Sequence, residues 1–201
     1  MDERTRALVE LSSAIARGAR GEWRERMRAA QSVAQPEAIE EAILQSYLFL
    51  GYPTALQALA VWRELMDDAI TIEGLETPEN LRARGERVCA TVYGGQYERL
   101  RANITRLHPD VEAWMISEGY GKVLGRPGLE LKTRELCIIG LLAAQDAAHQ
   151  LYSHLRGALN AGASVAEVEA ALAVVLRALP PGPADAARQL WSEVRTKRKE
   201  S

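Results

Sequence analysis

The 201 residues of the chain are enough for one compact domain or two small ones, and a formal charge of −2 gives no electrostatic footprint for nucleic acid. The two cysteines, Cys89 and Cys137, exclude a disulfide framework, a four-cysteine zinc site and a CxxC redox pair. The charged start is unlike a signal peptide and no window approaches the ~20 apolar residues that span a bilayer, so we expect a cytoplasmic protein without a membrane partner.

Apolar residues recur at helical spacing along nearly the whole chain, and Gly and Pro stand where helices would end or begin. The pair Val92-Tyr93 before Gly94 is the nearest approach to a strand, and it is too short to form one. The fold class that this pattern predicts is all-α. The predicted helices span residues 2–17, 22–33, 36–50, 53–70, 78–92, 96–106, 109–122, 130–145, 147–161, 164–178 and 183–198.

Capping signals mark several of these helix ends. Thr77 before Pro78 is typical of an N-cap followed by proline at the first helical position. Ser164 and Glu167 have the spacing of a capping box, in which each side chain accepts a hydrogen bond from the other residue's backbone N–H. Gly162 can supply the left-handed turn that ends the helix before Ser164.

The first four predicted helices resemble the last four. A shift of 128 residues places the segment TRAL, which begins at Thr5, on TREL, which begins at Thr133. A shift of 129 residues places Trp62 on Trp191, and helix starts and lengths coincide under these shifts. We therefore predict a duplicated four-helix unit, with residues 71–130 or thereabouts inserted between the copies.

Four segments of the second half carry a family resemblance. They are EGYGKVLGRPGL at 118–129, KTREL at 132–136, HLRGAL at 154–159 and GASVAE at 162–167. In this order they resemble the carboxymuconolactone decarboxylase family, which belongs to the all-helical superfamily of alkylhydroperoxidase D. The resemblance implies an alkylhydroperoxidase-D-like fold with an internal duplication. It also implies a decarboxylase that uses no cofactor and no metal on a small lactone bearing carboxylates.

The first half carries a weaker form of the same pattern. The segment FLGYPTA at 49–55 is similar to a helix break of the family, but Arg26 stands where the second copy has His154, and Ala7 stands where it has Glu135. The resemblance therefore implies one site per chain, centred on the second copy. Residues 1–70 would be a degenerate first repeat, and residues 71–201 a complete unit with its leading helices.

One departure from the superfamily separates this chain from its peroxide-reducing branch. The sequence motif of that branch is a Glu, followed by eleven residues and then by Cys-x-x-Cys-x-x-x-His. Glu135 and His154 stand at the outer positions here, but Ala147 and Gln150 stand at the two cysteine positions. Because neither side chain can form a thiolate, dithiol peroxidase chemistry is disfavoured.

The resemblance makes His154 the acid/base group and Glu135 the carboxylate that faces it from the preceding helix. Loss of CO2 requires a proton to be delivered to carbon, and histidine is the side chain that titrates near neutrality. Each residue also has a structural interpretation. His154 could be a satisfied core histidine, and Glu135 a first-turn carboxylate near the positive end of its helix.

Arg134 and Arg126 are candidate clamps for substrate carboxylates, since guanidinium offers a planar fork to such groups. Arg134 could instead pair with Glu130 or Glu118, and Arg126 could be a solvated turn residue.

Glu118 and Tyr120 are the remaining candidate substrate-binding residues. Glu118 could orient His154 or Arg134, or it could pair with Lys122 at i+4. His149 and His154 are five residues apart, so their rings point about 140° apart and we expect no metal site between them.

These observations together predict a cofactor-free decarboxylase or related lyase whose partner is a small-molecule carboxylate substrate. The alternatives are a non-catalytic helical assembly or a small-molecule-binding protein on the same scaffold, and, less favoured, a peroxide-reducing protein. The family resembles ring-like homo-oligomers, so we also expect a homo-oligomer, as a trimer of fused pairs.

Overall fold

The computed structural model describes residues 1–66 and 76–199. Every regular element within these ranges is helical, which confirms the predicted all-α class. The chain divides into two compact units: Met1–Met66 with Gly128–Ser201, and Asp67–Pro127. We refer to them as the first and the second unit.

The first unit begins with four helices: α1 (Glu3–Ala16), α2 (Arg20–Gln31), α3 (Pro36–Gln45) and α4 (Tyr47–Arg63). The carboxylate of Asp2 caps α1 by accepting a hydrogen bond from the Thr5 backbone N–H at 2.7 Å. The predicted helix over 53–70 ends early, at Arg63, and residues 67–70 lie outside the described part of the chain.

The predicted break at Gly51 is present as a kink inside α4. Gly51 has φ +72° and ψ +169°, a conformation that residues with a side chain rarely adopt. The predicted helix over 36–50 is instead divided at Ser46, but Ser46 keeps a helical backbone, with φ −60° and ψ −25°. The chain therefore follows one helical path from Pro36 to Leu50 and then turns.

The second unit contains α5 (Pro78–Tyr93), a 3₁₀ turn (Gly94–Gln96), α6 (Tyr97–Leu107), α7 (Pro109–Trp114) and a π-helix (Met115–Leu124). As predicted, the hydroxyl of Thr77 caps α5 by accepting from the Asn80 N–H at 3.3 Å. His108 begins α7 in the same way, because its Nδ1 accepts from the Asp110 N–H at 3.1 Å.

The π-helix was not predicted; the sequence pattern indicated one regular helix over 109–122. Within the second unit this segment packs against α5 at two glycines. A Cβ added at Gly85 would lie 1.9 Å from the Ile116 carbonyl oxygen, and one added at Gly121 would lie 2.1 Å from the Leu81 oxygen. Arg84 Nε also donates to the Gly121 carbonyl at 2.6 Å, taking an acceptor that a regular α-helix uses for its own backbone.

The first unit resumes with α8 (Leu131–Ala144), α9 (Ala148–Asn160), α10 (Val165–Leu176) and α11 (Pro181–Lys199). The predicted capping box opens α10. The Ser164 hydroxyl accepts from the Glu167 N–H at 3.1 Å, and the Glu167 carboxylate accepts from the Ser164 N–H at 2.8 Å. The left-handed turn predicted at Gly162 is also present, with φ +96°.

The starts of the first three helices follow the offset that the sequence suggested, whereas α4 and α11 begin 134 positions apart. Helices α1 and α8 begin and end 128 positions apart, α2 and α9 begin 128 apart, and α3 and α10 begin 129 apart. A duplicated unit would produce this pattern, and the duplication itself stays a prediction.

Helix α8 lies at the centre of the first unit, where it packs on α1, α9 and α10. Its residues from Thr133 to Ala143 are all buried. A Cβ added at Gly140 would lie 3.2 Å from the Val9 carbonyl oxygen, so this glycine lets the backbones of α1 and α8 approach closely. The candidate residues Arg134 and Glu135 therefore project from the most enclosed helix of the unit.

The sequence predicts no membrane partner, and the structure gives the length and the apolar composition of each described helix. Among the helices within residues 1–66 and 76–199, none combines the length and the apolar composition needed to cross a bilayer.

Candidate active site

A buried histidine–carboxylate pair joins α9 to α8. His154 Nδ1 lies 2.8 Å from Glu135 Oε2, and the two residues are 6% and 0% exposed. The expected contact between the histidine and a carboxylate on the preceding helix is therefore present. A partner of this kind is required if either group carries charge inside the protein, because an isolated buried charge is very costly.

The contact with Glu135 gives the two ring nitrogens of His154 different surroundings. Nδ1 shares the hydrogen bond with Glu135 Oε2, and it is the donor in the tautomer that pairs with a carboxylate. Nε2 makes no hydrogen bond with any residue that the structure describes. Nε2 is therefore the ring nitrogen that is available to hydrogen-bond with a bound molecule.

An aromatic ring from the first four helices packs against the same imidazole. The Phe49 and His154 ring centroids are 5.8 Å apart, with an interplanar angle of 82°, which is an edge-on contact. Gln145, just beyond α8, donates through Nε2 to the Phe49 carbonyl at 3.0 Å and ties α4 to the end of α8. Sequence reasoning quoted Phe49 only as part of a helix break and missed this contact.

Arg134 is completely buried, and its guanidinium binds one group on α3 and one in the segment just before α8. Its Nη2 donates to Glu41 Oε2 on α3 at 2.7 Å, and its Nε donates to the Leu129 carbonyl at 3.1 Å. The sequence suggested Glu130 or Glu118 as the partner that a buried guanidinium needs. Glu41 was not considered, because it lies 93 positions away and nothing in the sequence links the two residues.

Two buried polar groups near this cluster have unused hydrogen-bonding atoms. Both amide atoms of Gln45, a residue with 0% exposure, lack a hydrogen-bond partner among the described residues. The same holds for Glu135 Oε1. A polar residue on the buried face of α3 was the available sequence signal for Gln45, but sequence reasoning did not use it.

The other three candidate residues belong to the second unit. Glu118 Oε2 binds Lys122 Nζ at 3.2 Å on the surface, which is the i+4 pair that the sequence offered as an alternative. Tyr120 is 5% exposed and packs edge-on against Tyr93 at 6.1 Å. Arg126 lies in the turn after the π-helix, where its N–H donates to the Val123 carbonyl at 3.3 Å. Their roles in binding stay predictions.

Both cysteines, Cys89 and Cys137, are buried. Burial raises the pKa of the Cys137 thiol to about 12, so its thiolate is not populated near neutral pH. Gln150 lies exposed on α9, one turn before His154. Within residues 1–66 and 76–199, no three His, Cys, Asp or Glu side chains gather in a way that could hold a metal ion.

Comparison with known proteins places this geometry in context. Residues 109–191 match the model of the carboxymuconolactone decarboxylase family. The chain is also 33% identical, over 98 residues, to nitrosuccinic acid decarboxylase npaB of Metarhizium robertsii, and the match covers 48% of this chain and 68% of that protein. The family match includes all six candidate residues, whereas Glu41, Gln45 and Phe49 lie before it.

Proposed function

The chain belongs to the carboxymuconolactone decarboxylase family, and we propose that it is a cofactor-free decarboxylase of small carboxylated acids, such as lactones with carboxylate substituents. The observation that carries this proposal is the buried pair of His154 and Glu135, which lies inside the family match. The similarity to a decarboxylase of nitrosuccinic acid supports the same class of reaction.

In the proposed reaction, the bond between the departing carboxyl carbon and its neighbouring carbon breaks, and CO2 leaves. The electron pair of that bond passes into the conjugated or electron-withdrawing part of the substrate. A proton then joins the carbon that lost the carboxylate. We assign its delivery to His154 Nε2, with Glu135 stabilising the imidazolium that donates it.

Arginines hold the substrate carboxylates in this proposal. Arg134 is already bonded to Glu41, so a substrate carboxylate would share its guanidinium with that residue. Arg126, Glu118 and Tyr120 of the second unit remain proposed substrate-binding residues on the strength of the sequence resemblance.

The alternative function is a binding protein on the same scaffold that performs no chemistry. Peroxide reduction is the less favoured alternative, since the described cysteines are both buried and residues 147 and 150 are Ala and Gln. The test below separates catalysis from binding.

The experiment measures CO2 release from 4-carboxymuconolactone and from nitrosuccinate, each incubated with the purified chain. We expect turnover of at least one compound, and a loss of at least ~100-fold for His154→Ala, because general acid–base groups typically contribute that much. His149→Ala is the matched control, since His149 lies on the same helix but is exposed. Its rate should equal that of the wild type.

Two results would contradict the proposal. The first is undiminished turnover by a folded His154→Ala variant. The second is the absence of CO2 release from both compounds when each is shown to bind, which would favour the binding-protein alternative.

The proposal includes assembly into a homotrimer of these double units. Large apolar side chains remain exposed on both units: Tyr52 and Leu56 on α4, and Leu107 and Trp114 on the second unit, are each at least 60% exposed. Light scattering coupled to size-exclusion chromatography should give about 66 kDa, three times the chain mass of 22.1 kDa. A mass of 22 kDa at micromolar concentration would contradict this part of the proposal.

A further inference from the structure

A buried glutamine, Gln45, is the last residue of α3, one turn after Glu41. Gln45 is 0% exposed, and neither its amide oxygen nor its amide nitrogen has a hydrogen-bond partner among the described residues. Leaving such a group unpaired in the interior destabilises the folded protein. A residue of this kind is explained when a bound molecule completes its hydrogen bonds.

The backbone places Gln45 between two established contacts. Glu41, Gln45 and Phe49 are four residues apart on the helical path from Pro36 to Leu50, so they succeed each other at intervals of about 6 Å along one side of it. Glu41 binds Arg134, and Phe49 packs against His154. Gln45 is the residue between them on that side.

These contacts form a continuous chain that links α3, α8, α9 and α4. Glu41 binds Arg134, Arg134 precedes Glu135 on α8, and Glu135 binds His154. His154 in turn contacts Phe49 on α4, and Gln45 is the last residue of α3, on the same helical path. A second unused atom, Glu135 Oε1, belongs to α8.

The Gln45 amide and Glu135 Oε1 would form hydrogen bonds with different kinds of group on a bound molecule. The amide N–H of Gln45 can donate to a carboxylate oxygen, whereas Glu135 Oε1 can accept from a donor such as a hydroxyl or an enol. A molecule that satisfies both groups carries an acceptor and a donor.

We propose that Gln45 is a substrate-binding residue, and that the site takes a small carboxylic acid with a second, hydrogen-donating group. The carboxylate accepts from Gln45 Nε2, and the donor binds Glu135 Oε1 beside the proton-transferring His154. The assignment rests on the proposed function for the location of the site, and it names the substrate class of that site.

The experiment measures binding by calorimetry, without turnover. The probes are malate, which carries a hydroxyl group, and succinate, which has the same two carboxylates without it. We expect the wild-type chain to bind malate several-fold more tightly than succinate. Gln45→Met should weaken malate binding at least ten-fold, because it removes the donor to the carboxylate while keeping the side-chain length.

The matched control is Gln57→Met, which makes the same change at an exposed position of α4 and should bind malate as the wild type does. Gln45→Met should also melt at a temperature equal to or above that of the wild type, since it removes an unpaired polar group from the interior. A merely structural glutamine would give a lower melting temperature with unchanged affinity. Gln45→Leu provides a second variant if the methionine variant does not fold.

Unchanged malate affinity in a folded Gln45 variant would overturn the role of Gln45. Equal affinities for malate and succinate would overturn the assignment of a donor to Glu135. Wild-type protein that binds neither acid at millimolar concentration would overturn the substrate class. Binding that depends on Gln45 without CO2 release from any acid would uphold this proposal while contradicting the proposed function.

Discussion

Arg26 on α2 binds Glu10 on α1 at 3.1 Å, and Arg26 stands 128 positions before His154, which binds Glu135. In both cases a side chain on the second helix of a pair, α2 or α9, contacts a carboxylate on the helix before it, α1 or α8. The Arg26 and Glu10 side chains are 36% and 31% exposed, whereas those of His154 and Glu135 are 7% and 0% exposed. Only the second pair is enclosed enough to exclude water from a proton transfer.

Replacing the exposed pair should therefore affect neither stability nor catalysis strongly. We expect Arg26→Ala to change the free energy of unfolding by less than about 1 kcal/mol, as is typical of solvent-exposed ion pairs. CO2 release should stay at the wild-type rate. Urea denaturation and the decarboxylation assay measure the two quantities, and a large fall in the rate would contradict the assignment of Arg26 to an exposed contact outside the site.

The pair formed by Glu41 and Arg134 should behave in the opposite way. Glu41→Ala leaves a buried guanidinium without this partner, and we expect a loss of about 3–5 kcal/mol in the free energy of unfolding. Its neighbour Glu40 provides the control, because it pairs with Arg63 at a site where both side chains are about 30% exposed. Glu40→Ala should cost less than about 1 kcal/mol.

A double variant tests whether the buried charges stabilise the protein or only require each other. We expect Glu41→Leu with Arg134→Met to recover most of the stability lost in Glu41→Ala, since apolar side chains can replace a buried ion pair. A double variant as unstable as the single one would show that the residues do not act as a pair.

The second unit should depend on Gly85. Gly85→Ala adds a Cβ that would lie 1.9 Å from the Ile116 carbonyl oxygen, so the backbone of the π-helix has to move. We expect a loss of about 3 kcal/mol or more in the free energy of unfolding. Gly119→Ala is the control, because a Cβ there meets no atom within 4 Å and its effect should stay within about 1 kcal/mol. Equal effects of the two substitutions would contradict the close packing described for Gly85.

The capping box should make part of the stability depend on acid pH. The Ser164 backbone N–H and the Lys132 ammonium hold the pKa of Glu167 at about 2, below its ordinary value of 4.5. A carboxyl whose pKa is lowered by folding stabilises the folded protein at every pH above the pKa that it has in the unfolded chain. This contribution is lost as the pH falls from about 4.5 to 2.

Glu167→Gln should therefore lose about 1 kcal/mol at pH 7 relative to the wild type, and the difference should disappear near pH 2. Urea unfolding at both pH values measures it. Glu193 on α11 provides a control at an exposed carboxyl, and Glu193→Gln should show no comparable pH dependence. A difference that grows as the pH falls would contradict the assigned direction.

Local signals in the sequence predicted much of the fold. The cap at Thr77, the capping box at Ser164 and the turn at Gly162 each depend on residues within a few positions, so their geometry follows from the local sequence. The π-helix could not be predicted from local signals. It depends on Arg84 and Gly85 of α5, which contact the backbone of a segment about 35 residues away and compete with its regular hydrogen bonds.

The candidate site divides in the same way. The resemblance to the family implied the contact between His154 and Glu135, and one short connection between α8 and α9 brings these positions, 19 apart, together. The bond between Arg134 and Glu41 could not, because it depends on how α3 packs beside α8, which no periodicity in either helix specifies. Gln45 was missed for the same reason.

The edge-on contact between Phe49 and His154 has a consequence for divergence among relatives. Phe49 lies outside the segment of 109–191 that matches the family, although its ring borders the imidazole within it. Two relatives could therefore share every residue of the matched segment and still present different walls to a ligand. In such proteins the surroundings of the imidazole can change through substitutions in the first 66 residues while His154 and Glu135 stay the same.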